Sequence, residues 1–137
     1  MDRLHLILER YFGHTAFRPY QQEIIQDLLS GRDVLAVLAT GGGKSLCYQA
    51  PALIGDGVTL VISPLIALMK DQVDDLQARG IPAEALNSSC SYATTQRIFS
   101  ETRGGVHPHP LRLAGEGCQQ RLPGLRRIPP CDADRRR

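Results

Sequence analysis

Apolar residues recur with two different periods along this chain, and the changes of period mark its elements. Leu4, Leu8, Tyr11 and Phe12 fall on one side of a helix over residues 2–12, and Gly13 follows as a stop. Ile24, Ile25, Leu28 and Leu29 do the same between Phe17 and Gly31, with Pro19 in the first turn and Gly31 just past the end. From Asp33 to Leu38 the period breaks into a short apolar run with β-branched residues, the pattern of a strand buried on both faces. A helix from Ser45 to Leu53 and a glycine-containing loop come next, followed by a second buried strand, Val58 to Ile62, closed by Ser63-Pro64. Leu65, Leu68, Met69, Val73 and Leu76 then predict a helix over 65–79, capped by Gly80 and blocked by Pro82. Ala83 to Leu86 reads as a short third strand, Asn87-Ser88-Ser89 as a turn, and Ser91 to Thr102 as a helix with a weak apolar face. Strands alternating with helices predict an α/β fold of parallel βαβ units, with helices on both faces of the sheet. Ligands of such sheets sit at the carboxyl ends of the strands, where Leu38 to Lys44, Ser63-Pro64 and Asn87-Ser88 all lie.

The first of those ends is the richest in chemistry. Ala39-Thr40-Gly41-Gly42-Gly43-Lys44-Ser45 joins the first predicted strand to a helix, which is the context a phosphate-binding P-loop requires. Successive glycines let the chain curl with its N–H groups inward and approach an anion closely. The positive end of the following helix adds to that cradle. Lys44 supplies a mobile charge for the β- and γ-phosphates, and the Ser45 hydroxyl is placed to ligand Mg²⁺. The strict pattern has a further glycine six residues before the lysine, and Leu38 stands there instead. Lys44 has one competitor for the role, Lys70, the chain's other lysine.

Composition sets the limits. The 137 residues suffice for one domain, and no run of 18 apolar residues is present to span a bilayer. The N-terminus has no secretory h-region, so a cytoplasmic setting with reduced thiols is expected. Cys47, Cys90, Cys118 and Cys131 follow no zinc-site spacing, even with His107 and His109 near the last two. Charge divides the chain. Residues 1–102 carry eight basic and eleven acidic side chains, whereas residues 103–137 carry eight arginines and three acids, together with five prolines and five glycines.

Three ordered blocks make the chain resemble the start of a RecQ-type ATP-dependent DNA helicase over residues from about 11 to 102. They are Phe17-Arg18-Pro19-Tyr20-Gln21-Gln22, Thr40-Gly41-Gly42-Gly43-Lys44-Ser45-Leu46-Cys47-Tyr48-Gln49, and Ser63-Pro64-Leu65-Ile66-Ala67-Leu68-Met69-Lys70-Asp71-Gln72. A non-glycine at Leu38 is usual in that superfamily. The resemblance implies that ATP is bound with Mg²⁺: Thr40 to Ser45 hold the phosphates, Arg18 and Gln21 read adenine, and a His14 ring stacks on the base. A carboxamide suits the adenine position because it offers a donor and an acceptor together. Ser63, Lys70 and Gln72 resemble the motif that lies along single-stranded DNA, and Asn87 and Ser88 a following strand-end contact. Such donors grip phosphate without reading sequence. Nucleoid association, DNA repair and recombination, and 3′-to-5′ polarity are implied in the same way.

The resemblance stops near Arg103, where the family supplies another strand and then the Asp-Glu-Ala-His box that holds Mg²⁺ and positions water. No such box occurs in residues 103–137. The expected architecture is therefore an incomplete P-loop RecA-like parallel sheet: residues 1–102 form the N-terminal part of the ATP-binding domain and residues 103–137 an irregular tail. That tail reads either as a reading-frame slip near Arg103 or as an Arg-rich arm binding nucleic acid nonspecifically. Without its partner strand, the run to Leu38 is expected to leave a bare apolar edge and marginal stability. A noncatalytic nucleotide- or nucleic-acid-binding module is the alternative function.

Overall fold

The computed structural model describes residues 2–55, 58–63, 65–87, 90–103 and 111–114. Helix α1, Arg3–Phe12, starts where the Asp2 carboxylate accepts a hydrogen bond from the Leu4 N–H (3.4 Å) and ends at Gly13, whose φ of 67° closes the last turn. Helix α2 spans Gln21–Leu29. It begins later than the Pro19 signal predicts, because Tyr20 takes a left-handed φ of 69° and cannot continue a helix. Helix α3, Lys44–Ala52, leads to strand β1, Thr59–Ile62, helix α4, Ile66–Ala78, strand β2, Ala83–Leu86, and helix α5, Tyr92–Arg103.

A third strand, β3, Leu111–Ala114, lies between the other two in the order β1-β3-β2, with both pairings parallel. Thr59 and Ala83 both face Leu111 across the ladder, and Ile62 and Leu86 both face Ala114. This strand falls inside the stretch for which an irregular tail is expected. Two parallel strands held one position apart leave facing rows of unpaired N–H and C=O groups, and a short apolar-rich segment satisfies both rows at once. The rest of residues 104–137 lies outside the described residues.

Alternation along β2 shows how helices cover the sheet. Ala83 and Ala85 belong with the cluster of Met69, Val73 and Leu76 from α4, whereas Leu86 packs with Ile98 and Phe99 of α5 and Glu84 pairs with Arg97 of α5. With a period of two these are opposite faces, so α4 and α5 sit on different sides of β2. A second cluster joins Leu4, Ile7 and Leu8 of α1 to Ile25 of α2 and to Leu46 and Ala50 of α3. Tyr11, Phe12 and Leu53 touch both clusters, which ties the helical layer carrying the glycine-rich loop to the sheet layer.

The Asp33–Leu38 strand is the main correction. Residues 33–38 form neither helix nor strand, and Leu35 and Val37 are each 90% exposed. Apolar character favours a strand only where a neighbouring edge completes the ladder, and none of β1, β2 and β3 is paired with this run. Replacing Leu35 and Val37 together by lysine is therefore expected to change stability by less than about 0.5 kcal/mol while reducing self-association. Light scattering against concentration, with a thermal melt alongside, checks this. A large drop in the melting midpoint would mean that both side chains are packed in the native chain.

Candidate functional site

The glycine-rich loop is held from below by α2. The Gln21 side chain, 2% exposed, accepts a hydrogen bond from the Arg18 N–H (2.8 Å) and donates one to the Gly43 carbonyl (3.0 Å). The Arg18 guanidinium donates to the Gly41 carbonyl. Gly43 is the N-cap of α3 with a φ of 77°, and a Cβ there would overlap the Gln21 amide nitrogen. At Gly42 a Cβ would come within 2.8 Å of the Ala39 carbonyl oxygen. The loop is thus a turn that side chains at 42 and 43 would fill. No side chain caps α3, which leaves the positive end of that helix open toward the loop.

Beside the loop lies a cavity of about 420 Å³. One wall is Phe12, His14, Arg18 and Gln21, and the floor is Gly43, Ser45 and Gln49. The facing wall is α4, through Asp71, Gln72, Asp75 and Arg79. Of the residues expected to bind a nucleotide, His14, Arg18, Gln21, Gly43 and Ser45 are brought together here. Thr40 and Gly41 are exposed in the loop itself. Lys44 is exposed and lines a second cavity of about 340 Å³, with Val34, Leu38 and Tyr48 among its neighbours. Among the described residues Lys44 makes no ion pair, so its ammonium is free to swing on its four-carbon stem.

The residues expected to touch DNA divide into two groups. Ser63 and Asn87 leave the carboxyl ends of β1 and β2, which the parallel register places at one end of the sheet, about 10 Å apart across β3. Ser63 Oγ accepts from the Leu65 N–H (3.3 Å), and the Asn87 carboxamide oxygen accepts from the Cys90 thiol (3.9 Å). Ser88 lies outside the described residues. Lys70 is exposed, and its ammonium bonds Asp74 (2.8 Å), which raises the lysine's pKa. Gln72 is not with them. Its Oε1 accepts from the Tyr48 hydroxyl of α3 (3.2 Å), and the residue lines the cavity beside the glycine-rich loop.

Cys47, buried one turn beyond Gly43, donates weakly to that carbonyl (3.9 Å), and burial pushes its thiol above the usual range. It packs the loop rather than reacting. Among the described residues no cluster of three or more His, Cys, Asp or Glu is placed to hold a metal, and no helix is long and apolar enough to cross a membrane. The motifs give no role to Gln49, Asp71, Asp75 or Arg79, and they place Gln72 with the DNA contacts. The one available signal is spacing, since Gln49 follows Ser45 by four residues and shares its helix face.

The DEAD/DEAH box helicase family profile matches residues 18–109. The chain belongs to that family. Within it the chain is 56% identical over 99 residues to the ATP-dependent DNA helicase RecQ of Haemophilus influenzae, covering 72% of this chain and 16% of that helicase. It is 54% identical over 100 residues to the probable ATP-dependent DNA helicase RecS of Bacillus subtilis, covering 72% of this chain and 20% of the relative. The ATP-dependent DNA helicase Q-like 2 of Arabidopsis thaliana is 46% identical over 94 residues, 69% of this chain and 13% of its own. The chain therefore spans a fifth or less of the length of these helicases. The family implies a RecA-like α/β fold, and the parallel sheet with helices on both faces of β2 agrees with it.

Proposed function

We propose that this chain is the nucleotide-binding beginning of a RecQ-like, ATP-dependent 3′-to-5′ DNA helicase, with residues 1–102 forming the N-terminal part of the ATP-binding domain. The observation that carries the reading is the pair of hydrogen bonds from Gln21 and Arg18 to the carbonyls of Gly43 and Gly41. Through them the residues assigned to adenine shape the loop assigned to phosphate, so one ligand spanning both would be held by one hydrogen-bonded unit.

In this reading the triphosphate sits on the loop from Thr40 to Ser45, against the uncapped end of α3. Lys44 swings onto the β- and γ-phosphates, and the base lies between His14 and Arg18. Gln21 keeps one N–H and one lone pair for the base beyond its two internal bonds. The Ser45 hydroxyl, half-buried on the cavity floor, would hold Mg²⁺, which when bound neutralises charge on the transferring phosphate. Ser63, Asn87 and Ser88 meet DNA phosphates from the strand ends, with Lys70 on the neighbouring helix once it exchanges Asp74 for a phosphate.

Calorimetric titration of the chain with ATP and Mg²⁺ tests the proposal. Saturable binding that Lys44→Ala weakens at least about a hundredfold is expected, since the substitution deletes the free cation from the phosphate site. Equal binding by wild type and Lys44→Ala, with both chains folded, would overturn it.

A further inference from the structure

The cavity beside the glycine-rich loop holds a carboxamide that no described residue of the fold uses. Gln49 is 6% exposed, forms part of the cavity floor, and has no side-chain hydrogen bond among the described residues. The contrast with its neighbours is sharp. Gln21 spends both ends of its amide on backbone groups, and Gln72 has its oxygen held by Tyr48. A buried carboxamide without partners costs the folded chain stability, and such groups are rare in native structures. Polar groups of a bound ligand would satisfy it.

We infer that Gln49 is a ligand-contacting residue of the nucleotide site, pairing its amide N–H and carbonyl with the nucleoside part of ATP. This rests on the proposed nucleotide site and deepens it. Gln49 lies on the same face of α3 as Ser45 and about 6 Å further along the helix axis. The phosphates occupy the N-terminal end of α3, so a group one turn beyond Ser45 meets the part of the ligand that follows them into the cavity. A neutral donor–acceptor pair also suits a nucleoside better than a phosphate, which takes donors alone. The adenine edge and the sugar hydroxyls both offer that neutral chemistry.

The test compares wild type, Gln49→Met and Lys44→Ala as full-length chains, titrated calorimetrically with ATP, inosine triphosphate and 2′-deoxyATP in Mg²⁺, with a thermal melt of each. Methionine keeps the length and flexibility of glutamine and removes its polar end; Gln49→Leu serves as a second variant. Gln49→Met is expected to bind ATP about tenfold more weakly, the effect of one lost ligand hydrogen bond. Its melting midpoint without ligand is expected to stay level or rise, because an unpaired buried amide has been removed. If the base edge is the contact, wild type prefers ATP over inosine triphosphate and the variant loses the part of that preference that Gln21 does not supply. If the sugar is the contact, the preference lost is that over 2′-deoxyATP. Unchanged ATP affinity overturns the inference, as does a matching loss toward inorganic triphosphate titrated in the same way, which would place Gln49 on the phosphates. A lowered midpoint in both variants also overturns it, since the amide would then be serving the fold. Loss of binding in Lys44→Ala with none in Gln49→Met leaves the nucleotide site standing and removes Gln49 from it. Absence of binding by wild type removes both.

Discussion

A chain with alanine in place of Gly43 is expected to bind ATP at least about thirtyfold more weakly than wild type and to be less stable by about 2–3 kcal/mol. Two costs combine. At a φ of 77° an L-residue with a Cβ is strained by about 1–2 kcal/mol. The new methyl group would also overlap the Gln21 amide nitrogen. Gln21 cannot retreat, because it is buried and its oxygen is engaged by the Arg18 N–H. The bond from Gln21 to the Gly43 carbonyl is then lost, at about 1 kcal/mol. Gly41→Ala is the informative comparison. Its φ of 78° carries the same backbone strain, but a Cβ there meets nothing within 4 Å. Gly41→Ala should therefore lose stability without uncoupling α2 from the loop. Urea unfolding and calorimetric titration of the two variants separate the effects. Equal ATP affinity in Gly43→Ala and wild type would show that the contact with Gln21 does not govern the loop.

Ile25→Ala is expected to produce the largest loss of stability among single substitutions near the site, about 2–5 kcal/mol. Ile25 is fully buried, one helical turn beyond Gln21, and belongs to one cluster with Leu46 and Ala50 of α3. Removing most of its side chain leaves a cavity between α2 and α3 that the surrounding helices fill only in part. The same contact sets the distance between Gln21 and Gly43, so ATP affinity should fall along with stability. Denaturation in urea would show a lower midpoint with an unchanged slope. Leu28→Ala, on the same helix but 38% exposed, should cost less. Comparable losses in the two variants would mean that α2 does not pack on α3 through Ile25.

Much of the chain was legible because the signals were local. Gly13 adopts the left-handed cap that its position after Phe12 predicts, and β2 runs from Ala83 to Leu86 as the pattern between Pro82 and Asn87 predicts. The glycine-rich loop stands before α3, and α4 lies within the bounds read from Leu65 to Arg79. Residues such as Arg18, Gln21 and Ser45 were readable as a group because their motifs are short, ordered blocks. The misreadings share a cause. The run from Asp33 to Leu38 has the composition of a buried strand, yet a strand exists only where another strand completes its ladder, and composition does not report the neighbour. Leu111–Ala114 is the converse case: a segment in an unpromising tail becomes a strand because β1 and β2 hold a gap for it.

The sequence by itself determined where most of the helices start and stop and that a glycine-rich turn stands directly before α3. These depend on backbone preferences, caps and periodicities that act within a few residues. Only the tertiary structure decided that Gln21 spends its amide on Arg18 and Gly43, that Gln72 joins the cavity beside the glycine-rich loop, and that Gln49 is buried without a side-chain partner among the described residues. Each of those outcomes depends on which elements pack together, because a polar side chain's partners come from whatever backbone or side chain lies across the interface.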